Sequence, residues 1–273
     1  PVLACRGARV DECRSVTVAR APVCVCIQDR VAVGQPMSQD HQVVTREIAN
    51  MTQNKTGKET EDVDVYWSFR SPYSYLVTPD LLRLREDYDV SIEMRIVYPI
   101  AVRNPSLVFD PSNPNKSRYI VRDARRRAEF LGMPFEGPRP DPIVQEAGTM
   151  AVAEEQPYIH RLSALGIEAQ RRGRGVEFVT EVSALIFGGT QDWDQGDHLK
   201  HAADRAGLVL ADLDAALENG DQLAEVETNQ QALAAVGHWG VPTMVIREEP
   251  FFGQDRIKTL RWRLDQYGLA RSG

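Results

Sequence analysis

Between residues 63 and 98 the hydrophobic period changes twice, and that change limits the folds open to the chain. "VDVYWSF" at 63–69 alternates as a strand does. Ser71 follows at a helix N-cap position with Pro72 at N1. This is a favoured start, because the cap side chain takes an orphan N–H and proline has none to lose. "LLRLREDYD" continues the helix. Pro79 interrupts it: either the helix kinks there, or a short turn ends and a second helix restarts with Thr78 as its cap. "VSIEMRIVY" at 90–98 then sets Val90, Ile92, Met94 and Ile96 on one face, as a second strand. Strand, helix and strand in so few residues predict a βαβ unit.

The other end of the chain carries a complementary pattern. "GVPTMVI" (240–246) predicts a strand beginning with Pro242, "REEP" a turn, and "FFG" a short returning strand. Gln254-Asp255-Arg256 then open a last helix, with Ile257, Leu260 and Leu264 along one face. Between the two ends, 99–115 is rich in Pro, Asn and Ser and is expected to be a long loop. A helix is predicted at 116–131 and a proline-rich loop at 133–142. Helical stretches follow at roughly 143–171, 176–188, 195–206 and 211–236, Asp197 opening one and Gly207 ending it before Asp212 enters the next. A βαβ unit and a ββα unit flanking a helical block describe an α/β, thioredoxin-like fold with a large all-helical insertion. The expected division is a mostly disordered extension (1–60), a discontinuous thioredoxin-like domain (61–112 with 237–270) and a helical insertion domain (113–236).

Composition removes several function classes. With 42% hydrophobic residues the 273-residue chain can bury a real core, and a formal charge of −7 does not favour nucleic acid as its partner. The basic "RRGRG" at 171–175 reads as a solvated loop between helices. No apolar run is long enough for a membrane span. Cys5, Cys13, Cys24 and Cys26 are the only cysteines, and none follows residue 26. The main body therefore has no disulfide framework, cysteine nucleophile or Cys-rich zinc site. His198 and His201 stand at i, i+3 without a third ligand, so no metal site is expected. Residues 1–60 lack apolar periodicity and a leader-like pattern, and Met37 or Met51 would be plausible starts of the natural product.

The strand–helix junction resembles the redox site of thioredoxin-like proteins, where two cysteines in Cys-x-x-Cys open the helix and a proline follows. Here Ser71 and Ser74 take the two sulfur positions, and Pro79 takes the proline's. A serine hydroxyl has no thiol–disulfide chemistry, so the chain is no dithiol oxidoreductase by itself. Such a site can hold an external thiol instead. The helix N-terminus and a Ser71 hydroxyl both favour its thiolate.

The sequence resembles the 2-hydroxychromene-2-carboxylate isomerase and kappa-class glutathione transferase family, within the DsbA-like thioredoxin superfamily. The matching pieces are "SPYSYL" (71–76), "NKSRYIVRDARRRAEFLGMP" (115–134), "GVPT" (240–243) and "FFGQDRI" (251–257), over roughly 62–268. The resemblance implies glutathione as cofactor, with Ser71 hydrogen-bonded to its sulfur. It implies that the backbone at Val241, before a cis Pro242, pairs with the cysteinyl part, and that Gln254 and Asp255, with help from Arg256, receive the γ-glutamyl end. Lys116 and Asn104, the latter rivalled by Asn113, are implied near the glycyl end, where the loop departs from the family pattern. Trp239 and Tyr73 flank the site as platforms for an aromatic substrate or as core packing, and His160 reads as a satisfied or exposed histidine.

The implied activity is a glutathione-dependent isomerase acting on an aromatic or unsaturated small molecule, as in aromatic compound catabolism. The alternatives are a kappa-like transferase that releases the conjugate, and a binding module without catalysis in which Ser71 is only a helix cap. The resemblance further implies a homodimer, and the need for reduced glutathione implies a cytoplasmic setting. Membrane and nucleic-acid partners are not expected.

Overall fold

The computed structural model describes residues 16–18, 21–23, 60–108, 115–146 and 151–271. Strands β1 (Val16–Val18) and β2 (Ala21–Val23) pair antiparallel in a small unit of their own. The remainder of the expected extension, with its four cysteines, lies outside the described residues.

The main unit is built on a four-stranded sheet in the order β4-β3-β5-β6. β3 (Glu61–Trp67) is central and runs parallel to β4 (Val90–Ile96). A parallel pair needs a crossover, and α1 (Pro72–Asp87) supplies it. On the other side β5 (Thr243–Ile246) lies antiparallel to β3, and β6 (Glu249–Phe252) antiparallel to β5. The alternation read from the sequence is borne out in β4, where Val90, Ile92, Met94 and Ile96 are buried and the residues between them only half-buried. Tyr66 pairs with Thr243, so residues just before Thr243 lie at the end of β3 where the chain turns into α1.

Pro79 does not end α1, which runs on to Asp87 without the restart at Thr78. A proline at this position leaves the carbonyl four residues earlier without its donor. That carbonyl belongs to Tyr75, and the Thr78 hydroxyl donates to it at 2.9 Å. The side chain next to the proline thus replaces the missing backbone bond.

Several boundaries differ from the sequence reading. The 99–115 stretch contains two helical turns, α2 (Ile100–Arg103) and α3 (Pro105–Val108), the first closed by Val102 and Arg103 N–H donating to the Pro99 carbonyl. α4 (Asn115–Leu131) falls where expected. The helix predicted from 143 begins only with α5 (Pro157–Arg171). The Gln156 amide holds the preceding segment in a non-helical loop, bonding Val144 N–H, Val144 O and Ala153 O at 2.8 Å each. α6 (Gly175–Phe187) and α7 (His198–Arg205) follow. The predicted 211–236 helix is two, α8 (Leu210–Ala216) and α9 (Gln222–Ala235), parted at Gly220, whose φ of 70° is left-handed. The β5–β6 turn is only Arg247 and Glu248, so Pro250 belongs to β6, an edge strand where its missing N–H is tolerated. α10 (Ile257–Gln266) is entered through a 3₁₀ turn at Gln254–Arg256. The "RRGRG" arginines are engaged: Arg171 pairs with Asp221 and Glu225, and Arg174 donates to the Ala206 carbonyl.

The helices of the insertion share one core with the sheet. Phe69 and Phe178 meet edge to face at 6.1 Å between centroids, both fully buried. Gly166 in α5 lies against the first of these: a Cβ there would sit 2.9 Å from the Phe69 ring and 3.0 Å from Ile96. Gly166→Ala gains about 1 kcal/mol of helix propensity but overpacks a filled core, at about 1–3 kcal/mol. The overpacking wins, and the melting temperature falls by a few degrees. A raised melting temperature would show that α5 moves off the sheet at little cost.

Candidate active site

Ser71 caps α1 in an extended conformation, its Oγ accepting the Ser74 N–H at 3.2 Å. Tyr75 N–H bonds the Ser71 carbonyl at 3.2 Å, and Pro72 has no N–H. Among the described residues the Tyr73 N–H is thus left at the helix end, where unpaired donors and partial positive charge accumulate. The Ser71 hydroxyl proton points to the Val241 carbonyl at 3.4 Å. That is well beyond the usual ~2.7–2.8 Å of an O–H···O bond, so this proton is weakly held and available to a better acceptor. Ser74, at the second sulfur position, is fully buried, and its Oγ has no partner among the described residues.

The segment facing Ser71 is stitched at three successive carbonyls. Gly240 O accepts from the Thr243 hydroxyl at 2.7 Å, Val241 O from Ser71, and Pro242 O from Gly253 N–H at 2.9 Å. The Val241–Pro242 peptide is cis. Val241 N–H has no partner among the described residues, so it remains open to an incoming backbone. Gly240 N–H donates to His238 Nδ1 at 3.0 Å, and burial lowers the His238 pKa. His238, Trp239 and Phe252 stack beside this segment, His238 and Phe252 at 4.1 Å.

A cavity of about 620 Å³ opens beside the first turn of α1. Its wall includes Tyr73, then Asp123, Arg126 and Arg127 of α4, then Gln254, Asp255 and Arg256. The Tyr73 hydroxyl donates to Asp123 at 2.8 Å. Burial, reinforced by Asp123, pushes that hydroxyl well above the usual tyrosine range, so it stays protonated. The hydrogen bond from Arg126 holds Asp123 below the usual carboxylate range. Asp255 pairs with Arg256 and is more than half exposed.

The sequence-predicted residues divide into two groups. Ser71 and Val241 meet, and Gln254, Asp255 and Arg256 share the cavity wall. Lys116 and Asn104 are not part of that wall. Lys116 Nζ lies 5.9 Å over the Trp239 ring, and Asn104 Oδ1 accepts from the Ser106 hydroxyl at 2.8 Å. His160 packs against Tyr98 at 5.1 Å. Sequence reasoning left Asp123, Arg126 and Arg127 of α4 out of the site. A signal was present: Ala124 and Ala128, spaced i, i+4, are the buried residues of that helix, so the charged residues beside them flank the packed face.

A helix N-terminus facing a cis-proline across the end of a mixed β4-β3-β5-β6 sheet is the arrangement of a thioredoxin-fold site. The chain belongs to the DSBA-like thioredoxin domain family, whose model matches residues 62–265. Among solved structures, a 2-hydroxychromene-2-carboxylate isomerase is similar at TM-score 0.56 and 22% identity, over 76% of this chain and 95% of that one. The cytosolic disulfide reductase DsbM from Pseudomonas aeruginosa is similar at TM-score 0.50 and 16% identity, over 75% and 99%. At these identities the likeness is one of fold. No curated protein sequence matches the chain. No helix among the described residues is long and apolar enough to cross a membrane.

Proposed function

We propose that the chain is a glutathione-dependent isomerase acting on an aromatic or unsaturated small molecule. One observation carries the reading: the Ser71 hydroxyl stands at a thioredoxin-type helix end with a weakly held proton, in a chain with no cysteine beyond residue 26. The fold keeps the apparatus for a thiolate, and glutathione supplies the thiol that the main unit lacks. The residues present suit glutathione. Val241 N–H is open to a peptide carbonyl in the manner of an added strand. The cavity offers carboxylate Asp255 to an ammonium group and guanidinium and amide donors to a carboxylate.

Bound glutathione supplies a thiolate able to add reversibly to an unsaturated carbon, which permits bond rotation before the sulfur departs. Ser71 donates its proton to the sulfur position and, with Tyr73 N–H, favours negative charge there. Val241 aligns the tripeptide backbone. Gln254 and Asp255 hold the γ-glutamyl end. Trp239 and Phe252, both substantially exposed, form an apolar face for the second substrate. A cytoplasmic setting, where thiols are kept reduced, suits this chemistry, and a homodimer follows the family habit.

The test is titration with reduced glutathione, following sulfur ionisation near 240 nm. The bound thiol is expected to ionise about two units below its free value of about 8.5. Because the bound pKa is the lower, binding releases a proton only between the two values. Affinity therefore rises about tenfold per pH unit from about 6.5 to 8.5 and levels off on either side. Saturating glutathione with no thiolate signal would remove the proposed chemistry, and absence of binding would remove the reading altogether.

A further inference from the structure

Arg127 and Gln254 face each other across the cavity wall, from α4 and from the turn that enters α10. Arg127 Nε donates to Gln254 Oε1 at 2.8 Å. Arginine has only donors, so the amide oxygen must be the atom turned toward Arg127, and the –NH₂ group must point the other way. Gln254 is 8% exposed, and among the described residues its Nε2 has no partner. A nine-tenths buried amide therefore presents two unused donors to the cavity, which call for an acceptor.

The surrounding charges point the same way. Arg126 is committed to Asp123 and Arg256 to Asp255. Arg127 pairs with no carboxylate among the described residues, and its guanidinium lies 4.9 Å over the Phe130 ring. The one guanidinium of the wall left uncompensated among the described residues stands behind the outward-turned amide. An anion satisfies both.

We infer that Arg127 is a positioning residue: by taking the Gln254 oxygen it turns the Gln254 –NH₂ into the cavity, where that group selects the α-carboxylate of the ligand's γ-glutamyl end. This rests on the glutathione reading above. Arg127 need not touch the ligand, because it sets which end of the amide does.

The experiment compares binding of reduced glutathione with 4-aminobutanoyl-Cys-Gly, which keeps the ammonium and lacks only that carboxylate, by calorimetry. The intact protein is expected to prefer glutathione by about tenfold or more. In Arg127→Met the two peptides bind about equally. Arg127→Lys keeps the charge without the Nε donor, so it restores little of the preference. Gln254→Glu keeps a partner for Arg127 and supports the fold, but it puts oxygen where the donors were, so the preference reverses. Preserved discrimination in Arg127→Met or Gln254→Glu, full restoration by lysine, or equal binding by the unaltered protein would overturn this inference alone. An unaltered protein that binds neither peptide overturns the glutathione reading with it.

Discussion

Ser71→Ala is expected to lower kcat/KM for the glutathione-dependent reaction by about 100-fold or more, while glutathione Kd measured at about pH 7 stays within about tenfold. The size follows from the task assigned to the hydroxyl. Removing one preorganised donor to a developing or resident anion costs about 2.7–4 kcal/mol in the chemical step. The structural cost is smaller, since losing the cap that holds Ser74 N–H amounts to about 1 kcal/mol. A cap alone would thus show as a small fall in melting temperature with turnover intact, whereas a thiolate donor shows as a large fall in turnover with the fold intact. Equal turnover in the variant would leave Ser71 with only its capping role.

Phe178→Ala is expected to destabilise the main unit by about 3–5 kcal/mol, the range for emptying a buried aromatic site. Phe178 is fully buried and meets Phe69 edge to face, and Phe69 in turn fills the space against Gly166. Close packing on both sides leaves little room for the neighbours to collapse into the void. The loss appears in the denaturant midpoint with the slope unchanged, equivalent to about 10 °C in melting temperature. Phe130→Ala is the control. Phe130 is 76% exposed, and its truncation should cost under about 0.5 kcal/mol. A Phe178 variant as mild as the Phe130 one would mean that the insertion and the sheet do not share a continuous core.

The strand-to-helix junction was readable because its determinants are neighbours in sequence. The alternation in β4, the cap at Ser71 and the proline at N1 each act within a few residues. The residue content of the Ser71–Val241 meeting was reached through family resemblance, since the two stand far apart along the chain. The missed boundaries share a cause. The segment before α5 is held out of helix by a Gln156 amide reaching back to Val144, and the passage through Pro79 depends on where the Thr78 hydroxyl turns. Helical periodicity records which residues are apolar and carries no mark of such bonds.

Local chemistry thus sufficed for the class of fold and for the two serines that stand in place of sulfurs at the head of α1. What waited on three dimensions was which charges of α4 enter the cavity. Burial of Ala124 and Ala128 is what turns Asp123, Arg126 and Arg127 toward Gln254 and Asp255, and Arg127 in turn decides which end of the Gln254 amide meets a ligand. The first set of facts depends on short-range sterics and on residue identity. The second depends on how two helices distant in sequence approach each other, and no short window of the chain encodes that.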